Sequence, residues 1–212
     1  MNNVLKVGVV GAPQSGKTSL IEYLRNYLKE DYQVIIAEEV PTRLLKAGLN
    51  PPYNLSGLQF QLECLKEYTR LYQGIDYNLA TYLSQREKPV VILYDTVPLI
   101  GQCYLGEQDS PEKDYWSKAY EAEKFNYSGH NADVMYITEL LRGEYSPQGN
   151  AVRRELDVEN VLSISDSIDR VFEGGIHLSN TLSIEERANI VAEEIDARLK
   201  SQKTLIKEKP LQ

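Results

Sequence analysis

A glycine-rich loop between an apolar run and a helical stretch constrains this chain more than any other feature. Residues 11–18 read GAPQSGKT and match G-x-x-x-x-G-K-[ST] at every fixed position. The β-branched run at 4–10 is typical of a strand, and apolar residues recur at helical spacing over 20–28. A chance match in a flexible loop is the alternative, but the flanking strand and helix argue against it. The sequence therefore predicts a nucleoside triphosphate site.

Each predicted contact of the loop follows from its chemistry. The glycines let backbone N–H groups turn toward the β-phosphate, and Lys17 reaches the β- and γ-phosphate oxygens. The Thr18 hydroxyl is of the type that ligates Mg²⁺, so the expected cofactors are ATP and Mg²⁺. The predicted nucleotide-binding residues are Gly11, Gln14, Ser15, Gly16, Lys17, Thr18 and Leu20.

Length and composition indicate one domain with additions. The 212 residues, of which 42% are hydrophobic, can bury one full core. We expect a single nucleotide-binding domain over residues 1–200. Within it we expect a helical insertion at about 106–129 and a small lid at about 142–157, followed by a flexible C-terminal tail over 201–212.

Charge and cysteine content restrict the partners. A formal net charge of −8 argues against sequence-independent binding to nucleic acid, which needs a cationic surface. Cys64 and Cys103 lie far apart without metal-ligand spacing, which favours a reducing, cytoplasmic location. No apolar run approaches the length of a membrane span and the first residues lack a leader pattern, so we expect no membrane partner.

Strand-type and helical stretches alternate along the chain, which is typical of a parallel sheet covered on both faces. The sequence therefore predicts a three-layer α/β fold. After the first strand, the predicted strands are residues 33–37, 89–94, 134–137 and 175–178. Apolar residues at helical spacing predict a helix between the second and third strands and a closing helix at about 184–199.

The predicted insertion is rich in charged and aromatic residues. Its rings are those of Tyr115, Trp116, Tyr120, Phe125 and Tyr127. They form either one wall of a substrate pocket or a surface that packs the insertion onto the core, since aromatic side chains dominate core burial.

Carboxylates end two predicted strands, at the edge where parallel sheets bind ligands. Asp95 matches a Walker B carboxylate, which holds Mg²⁺ directly or through water. Glu38 and Glu39 end the second strand, where they either orient or deprotonate a substrate hydroxyl or are ordinary surface charges. Thr96 replaces the glutamate common in motor-type ATPases, and the [NT]-K-x-D signature of Ras-like GTPases is missing. Both observations disfavour those two classes.

Two arginines fall in the predicted lid. Arg153 and Arg154 follow the fourth strand at the position where small kinases place a mobile lid. A planar, always charged guanidinium suits the charge that develops on a transferring phosphoryl group. A salt bridge at a helix start, with Glu155 or Asp157, is the alternative.

These motifs occur in the order found in a known family. They are residues 11–18, Glu39 with Arg43, Phe60 with Gln61, Asp95, residues 133–137, and Arg153 with Arg154. Over about residues 4–199 the chain resembles the AAA-type P-loop domain of bacterial ribosylnicotinamide kinase domains and related NadR/Ttd14-like ATPases. The resemblance implies that Glu39 and Arg43 line the acceptor side, where Arg43 either clamps an anionic acceptor or pairs with Glu39. In that family an arginine usually follows the aspartate, whereas this chain has Thr96.

Two functions are compatible with these residues. The first is Mg²⁺-dependent transfer of the γ-phosphoryl group of ATP to a small, nucleoside-like acceptor. The second is a slow NTPase that acts as a nucleotide-dependent switch or binding module. A closed aromatic pocket favours the kinase, and an exposed apolar patch around Trp116 favours the switch. The predicted catalytic residues are Lys17, Glu39, Asp95, Arg153 and Arg154, and the predicted metal ligands are Thr18 and Asp95.

Overall fold

The central sheet is formed by five parallel strands. The computed structural model describes residues 4–49, 56–85, 88–105, 110–140 and 158–207. In these residues the strands run in the order β2-β3-β1-β4-β5. Since β1 is central, the loop that follows it opens between two neighbouring strand ends. The strands are β1 (Val4–Gly11), β2 (Gln33–Ala37), β3 (Val90–Asp95), β4 (Val134–Thr138) and β5 (Ile176–Leu178).

Helices cover both faces of this sheet, as a fully parallel sheet requires. The arrangement confirms the predicted three-layer α/β fold. The helices are α1 (Lys17–Leu28), α2 (Val40–Lys46), α3 (Gly57–Gln85), α4 (Pro111–Tyr127), α5 (Val158–Val171) and α6 (Ile184–Lys207), with 3₁₀ turns at Pro98–Tyr104 and Ser128–His130.

The sheet separates two hydrophobic cores, because alternate residues of a strand point to opposite faces. Val7 and Val9 belong to the core that contains residues of α1 and α6. Ile92 and Tyr94 belong to the other core, together with aromatic residues of α3 and α4. Every residue of β3 is buried. Burial on both faces explains why the sequence of β3 is a continuous apolar run and does not alternate.

The predicted strands agree with the observed ones, apart from small shifts at their ends. β1 extends to Gly11, β3 includes Asp95 and β4 extends to Thr138. Helix α3 is continuous through Gly74 and forms one element of 29 residues. Its length lets residues far apart in the chain line the same side of the sheet.

One predicted boundary differs from the structure. Helix α6 continues past Leu199 to Lys207, because residues 200–207 contain strong helix formers and neither glycine nor proline. The described part of the predicted insertion forms α4, which packs on α3 and belongs to the crossover from β3 to β4. The predicted lid at 142–157 lies outside the described residues, as do residues 208–212 of the predicted tail.

Local capping fixes where the two helices beside the site begin. At α3, Gln59 N–H donates to Ser56 Oγ at 3.2 Å and Ser56 N–H donates to Gln59 Oε1 at 2.8 Å. This reciprocal pair satisfies two backbone donors that a helix start leaves open. At α4, Lys113 N–H donates to Ser110 Oγ at 3.2 Å, and Pro111 occupies the first helical position.

Candidate active site

The glycine loop has the backbone geometry of an anion-binding loop. Gly16 precedes α1 with φ of +85°, a left-handed conformation that glycine adopts without strain. Gln14 is also left-handed, with φ of +66°. Helix α1 begins at Lys17, so its first N–H groups lie next to the loop. Leu20 is buried in the core that contains α1 and α6, and its side chain helps to hold α1 on the sheet.

Close packing anchors the start of the loop to β4. A Cβ atom on Gly11 would lie 2.2 Å from Thr138 Oγ1 and 2.5 Å from Ser15 Oγ, so only glycine fits. The Thr138 hydroxyl donates to Val10 O at 3.1 Å. It has one proton, so Ser15 Oγ is the donor in the 2.6 Å bond to Thr138 Oγ1. The Ser15 side chain therefore ties the loop to the neighbouring strand.

Two largely buried cations bind carbonyl oxygens of the loop. Lys17 Nζ donates to Ala12 O at 3.0 Å. Arg187, on α6, donates through Nη1 to Ser15 O at 3.3 Å and through Nε to Leu182 O at 3.0 Å. Arg187 could not be predicted from the sequence, because a single arginine in a long helix belongs to no motif. Through these contacts Arg187 supports the loop from α6, on the face of the sheet that α1 and α6 cover.

The two predicted metal ligands are in contact. Thr18 Oγ1 donates to Asp95 Oδ2 at 2.8 Å, which joins the first turn of α1 to the end of β3. A hydroxyl and a carboxylate are the hard oxygen donors that Mg²⁺ prefers, and phosphate and water oxygens commonly complete its octahedron. The donor set therefore fits a Mg²⁺ ion that binds together with a triphosphate.

Glu39 lies at the start of α2, one strand away from Asp95. Its carboxylate accepts a hydrogen bond from the Thr42 hydroxyl within the first turn of α2. Arg43 forms an ion pair with Glu67 of α3, with a 2.7 Å distance between Nη2 and Oε1. Arg43 thus joins α2 to α3 through Glu67, a partner that neither of the two predicted roles of Arg43 included.

Thr96, directly after Asp95, has an unusual backbone conformation. Its φ is +78°, and a β-branched residue in the left-handed region costs about 1–3 kcal/mol. Its N–H donates to Val9 O at 3.0 Å. Its buried hydroxyl has no hydrogen-bond partner among the residues that the structure describes. Strain of this kind concentrates at functional sites.

Tyr68 of α3 lies near the two predicted carboxylates. Its side chain is buried, and in the described part of the chain no atom pairs with its hydroxyl. Desolvation raises the pKa of this hydroxyl well above its ordinary value of 10. Interactions with Tyr72, Cys64, Glu39 and Asp95 raise this pKa further. Tyr68 is therefore a neutral donor, and it belongs to no motif that the sequence offers.

The aromatic residues of α4 divide into a packed group and an exposed group. Trp116 stacks on Tyr120, with ring centroids 5.3 Å apart and an interplanar angle of 13°. A Cβ atom on Gly101 would lie 2.9 Å from both the Trp116 ring and Gln61 Oε1, so the 3₁₀ turn packs closely here. The Trp116 ring therefore packs the helix onto the core, as one of the two alternatives predicted. Other rings of α4 are exposed to solvent. The buried or half-buried rings are Trp116, Tyr120 and Tyr127, and the exposed rings are Tyr115 and Phe125.

A cavity of about 400 Å³ lies beside the loop, at the C-terminal ends of β1, β4 and β5. This is the edge at which parallel sheets bind ligands. Its lining includes Gly11, Ala12, Thr138, Glu139, His177 and Asn180.

The structure describes most of the predicted site residues, but not the two arginines of the predicted lid. Residues 11–18 and Asp95 meet at the ends of β1 and β3, with Glu39 beyond the end of β2. Arg153 and Arg154 lie outside the described residues, so their roles remain predictions. Within the described residues, no helix is long and apolar enough to cross a membrane.

Comparison with known proteins supports the fold. No protein-family model matches the chain, and no curated protein matches it. The fold is similar to that of deoxyadenosine kinase from M. mycoides, solved with the products dCMP and a flexible dCDP bound. The TM-score is 0.61 at 10% sequence identity, and the match covers 91% of this chain and 100% of that chain. The chain therefore shares the α/β fold of that protein, and its resemblance to NadR/Ttd14-like ATPases stays a prediction.

Proposed function

We propose that this protein transfers the γ-phosphoryl group of ATP to a hydroxyl of a small, nucleoside-like acceptor. The hydrogen bond between Thr18 and Asp95 carries the proposal, because it brings the end of the glycine loop to the end of β3. A triphosphate in the loop would then lie between Lys17 and these two oxygen ligands. Glu39 follows the next strand, within the same edge of the sheet.

The proposed transfer needs a cation, a metal site and a base. Lys17 and the loop N–H groups bind the phosphates, and Thr18 with Asp95 holds Mg²⁺, which neutralises phosphate charge when it is bound. Glu39 accepts the proton of the acceptor hydroxyl as its oxygen bonds to the γ-phosphorus. The bond from the γ-phosphorus to the bridging oxygen breaks, and ADP leaves with that electron pair. Arg153 or Arg154 is the predicted source of further charge neutralisation.

The similarity to a deoxyadenosine kinase supports a nucleoside as the acceptor. The two chains have the same fold at 10% identity, so this support rests on architecture and needs a direct test.

A slow NTPase that acts as a switch is the second candidate. Thr96 stands where the NadR/Ttd14-like family, which this chain resembles in sequence, usually has arginine, so this chain lacks that cation. Tyr115 and Phe125 are exposed on α4, where they offer apolar surface to a partner. Trp116 is buried, so this surface is not centred on Trp116 as the switch hypothesis predicts.

Radiolabel transfer distinguishes the two candidates. The protein is incubated with γ-labelled ATP, Mg²⁺ and a panel of nucleosides, nucleotides and sugars, and the label is followed into organic product and into free phosphate. A kinase places label in at least one organic product, and the transfer stops when Mg²⁺ is chelated. Label found only as free phosphate across the panel would contradict the kinase and favour the switch.

A further inference from the structure

A buried hydroxyl without a partner on α3 requires an explanation. Tyr68 is 1% exposed, and its hydroxyl finds no hydrogen-bond partner among the described residues. A buried hydroxyl that gives up its bonds to water without replacing them destabilises the folded state. Phenylalanine would fill the same space without this cost, so packing alone does not account for tyrosine here.

The surroundings of this hydroxyl indicate what its partner must be. Tyr68 packs in the core that contains Ala37 and Val40, the residues on either side of the segment that carries Glu39. Burial is the main reason that the pKa of this hydroxyl is raised, Tyr72 and Cys64 contribute next, and the negative charges of Glu39 and Asp95 act in the same direction. The group is thus a neutral hydrogen-bond donor in the same core as the residues that flank Glu39, the base in the proposed function.

We propose that the Tyr68 hydroxyl binds the phosphoryl acceptor by donating a hydrogen bond to one of its oxygen or nitrogen atoms. This inference rests on the proposed function and extends it to an acceptor-binding residue. The acceptor then offers a hydroxyl proton to Glu39 and a lone pair to Tyr68. A ribose with neighbouring hydroxyls meets both requirements, as does a base with a carbonyl oxygen or a ring nitrogen.

The chain offers a matched control on the other face of the sheet. Tyr136 of β4 is also fully buried, and its hydroxyl likewise has no hydrogen-bond partner in the part of the chain that the structure describes. It lies in the second core, with residues of α1 and α6, and the charges that act on it are those of Glu194 and Arg198. A Tyr136→Phe variant therefore removes the same kind of hydroxyl away from Glu39.

The test compares Tyr68→Phe and Tyr136→Phe with the wild type. Thermal unfolding is measured without ligand, and KM for ATP and for the best nucleoside of the panel are measured by label transfer. Both variants should unfold at the wild-type temperature or above it, since each loses a hydroxyl that has no partner. Only Tyr68→Phe should raise the KM for the nucleoside, by about tenfold, with the KM for ATP unchanged.

Three outcomes would overturn the inference, and they differ from one another. Equal nucleoside KM values in the wild type and both variants would leave the kinase intact but remove Tyr68 from the acceptor site. A parallel loss of ATP affinity or of thermal stability in Tyr68→Phe would make Tyr68 a structural residue. Absence of label transfer by the wild type to every compound would overturn the proposed function, and this inference with it.

Discussion

Under the proposed function, the site divides into a phosphate side, formed by residues 11–18 with Arg187, and an acceptor side, which includes Glu39, Tyr68 and Thr96. On the phosphate side, side chains bind the loop itself, as the bond from Arg187 to Ser15 O shows. On the acceptor side, the hydroxyls of Tyr68 and Thr96 are buried without partners in the described residues. The phosphate side is thus preorganised by the protein alone, whereas the acceptor side has polar groups for a bound molecule to satisfy.

This difference separates affinity for ATP from specificity for the acceptor. Changes on the phosphate side should weaken every reaction that uses ATP. Changes on the acceptor side should affect transfer while they spare ATP binding. Variants of Lys17, Glu39 and Asp95 test that separation, and they are given in order of decreasing effect.

The largest effect is expected from Lys17→Ala. In the proposed function Lys17 carries its charge to the β- and γ-phosphates, and its amine already donates a hydrogen bond to Ala12 O at 3.0 Å. Loss of a cation at a transferring phosphoryl group lowers turnover by about 10³- to 10⁵-fold. ATP binding by calorimetry and turnover are measured, with circular dichroism to show that the variant folds. Unchanged affinity and turnover in a folded variant would refute the phosphate side as described.

Glu39→Gln tests the acceptor side. If Glu39 takes the acceptor proton, its removal lowers transfer by about 10²- to 10⁴-fold, or about 3 to 5 kcal/mol of transition-state free energy. ATP affinity should change little, because Glu39 lies beyond the end of β2 and outside the loop. Glu38→Gln is the matched control, since Glu38 is its exposed neighbour. Equal transfer rates in the two variants would remove Glu39 as the base.

Asp95→Asn tests the junction of the two sides. Asp95 accepts a hydrogen bond from the Thr18 hydroxyl. The asparagine amide lacks the negative charge of the carboxylate, which attracts Mg²⁺. We expect the Mg²⁺ concentration for half-maximal activity to rise by about 10- to 100-fold. Activity is measured across a Mg²⁺ titration at fixed ATP. A wild-type titration curve would mean that Asp95 is only a strand-end residue.

The phosphate side could be predicted from sequence because its principal residues are contiguous. Eight consecutive residues, a strand and a helix specify the loop, and the buried run of β3 specifies the position of Asp95. The supports of that loop could not be predicted. Thr138 and Arg187 reach Ser15 across 123 and 172 residues of chain, and each is one ordinary residue in its own element.

The acceptor side was only partly predicted for the same reason. The position of Glu39 follows from the end of β2, but the partner of Arg43 depends on how α2 packs on α3. Tyr68 has the helical spacing of a core residue. Only the folded structure shows that the charges of Glu39 and Asp95 act on its hydroxyl. Sequence spacing gives the face of a helix, and tertiary packing decides what that face meets.

The smallest effect concerns a buried histidine in the aromatic core behind the acceptor side. The ring of His130 stacks on Tyr72, with centroids 4.2 Å apart. Its Nδ1 lies 2.9 Å from the Tyr94 hydroxyl, and its Nε2 lies 3.1 Å from Asp76 Oδ1. Burial lowers the pKa of His130 below 6.5; Asp76 opposes this shift, and the positive charge of Lys6 adds to it. The ring is therefore neutral at pH 7, and its Nδ1 shares a hydrogen bond with the Tyr94 hydroxyl.

This lowered pKa gives a direction to the pH dependence of stability. The unfolded chain binds the proton at a higher pH than the folded protein, so the free energy of unfolding falls as the pH drops below about 6.5. Urea unfolding at pH 7.5, 6.5 and 5.5 should show that the free energy of unfolding of the wild type falls with pH. His130→Gln should make this fall smaller, by at most about 1.4 kcal/mol per pH unit. His177→Gln is the control, and its free energy of unfolding should fall with pH as much as that of the wild type. If His130→Gln and the wild type lose equal stability over this range, then another group binds the proton. In that case the aromatic core around His130 does not depend on a neutral histidine.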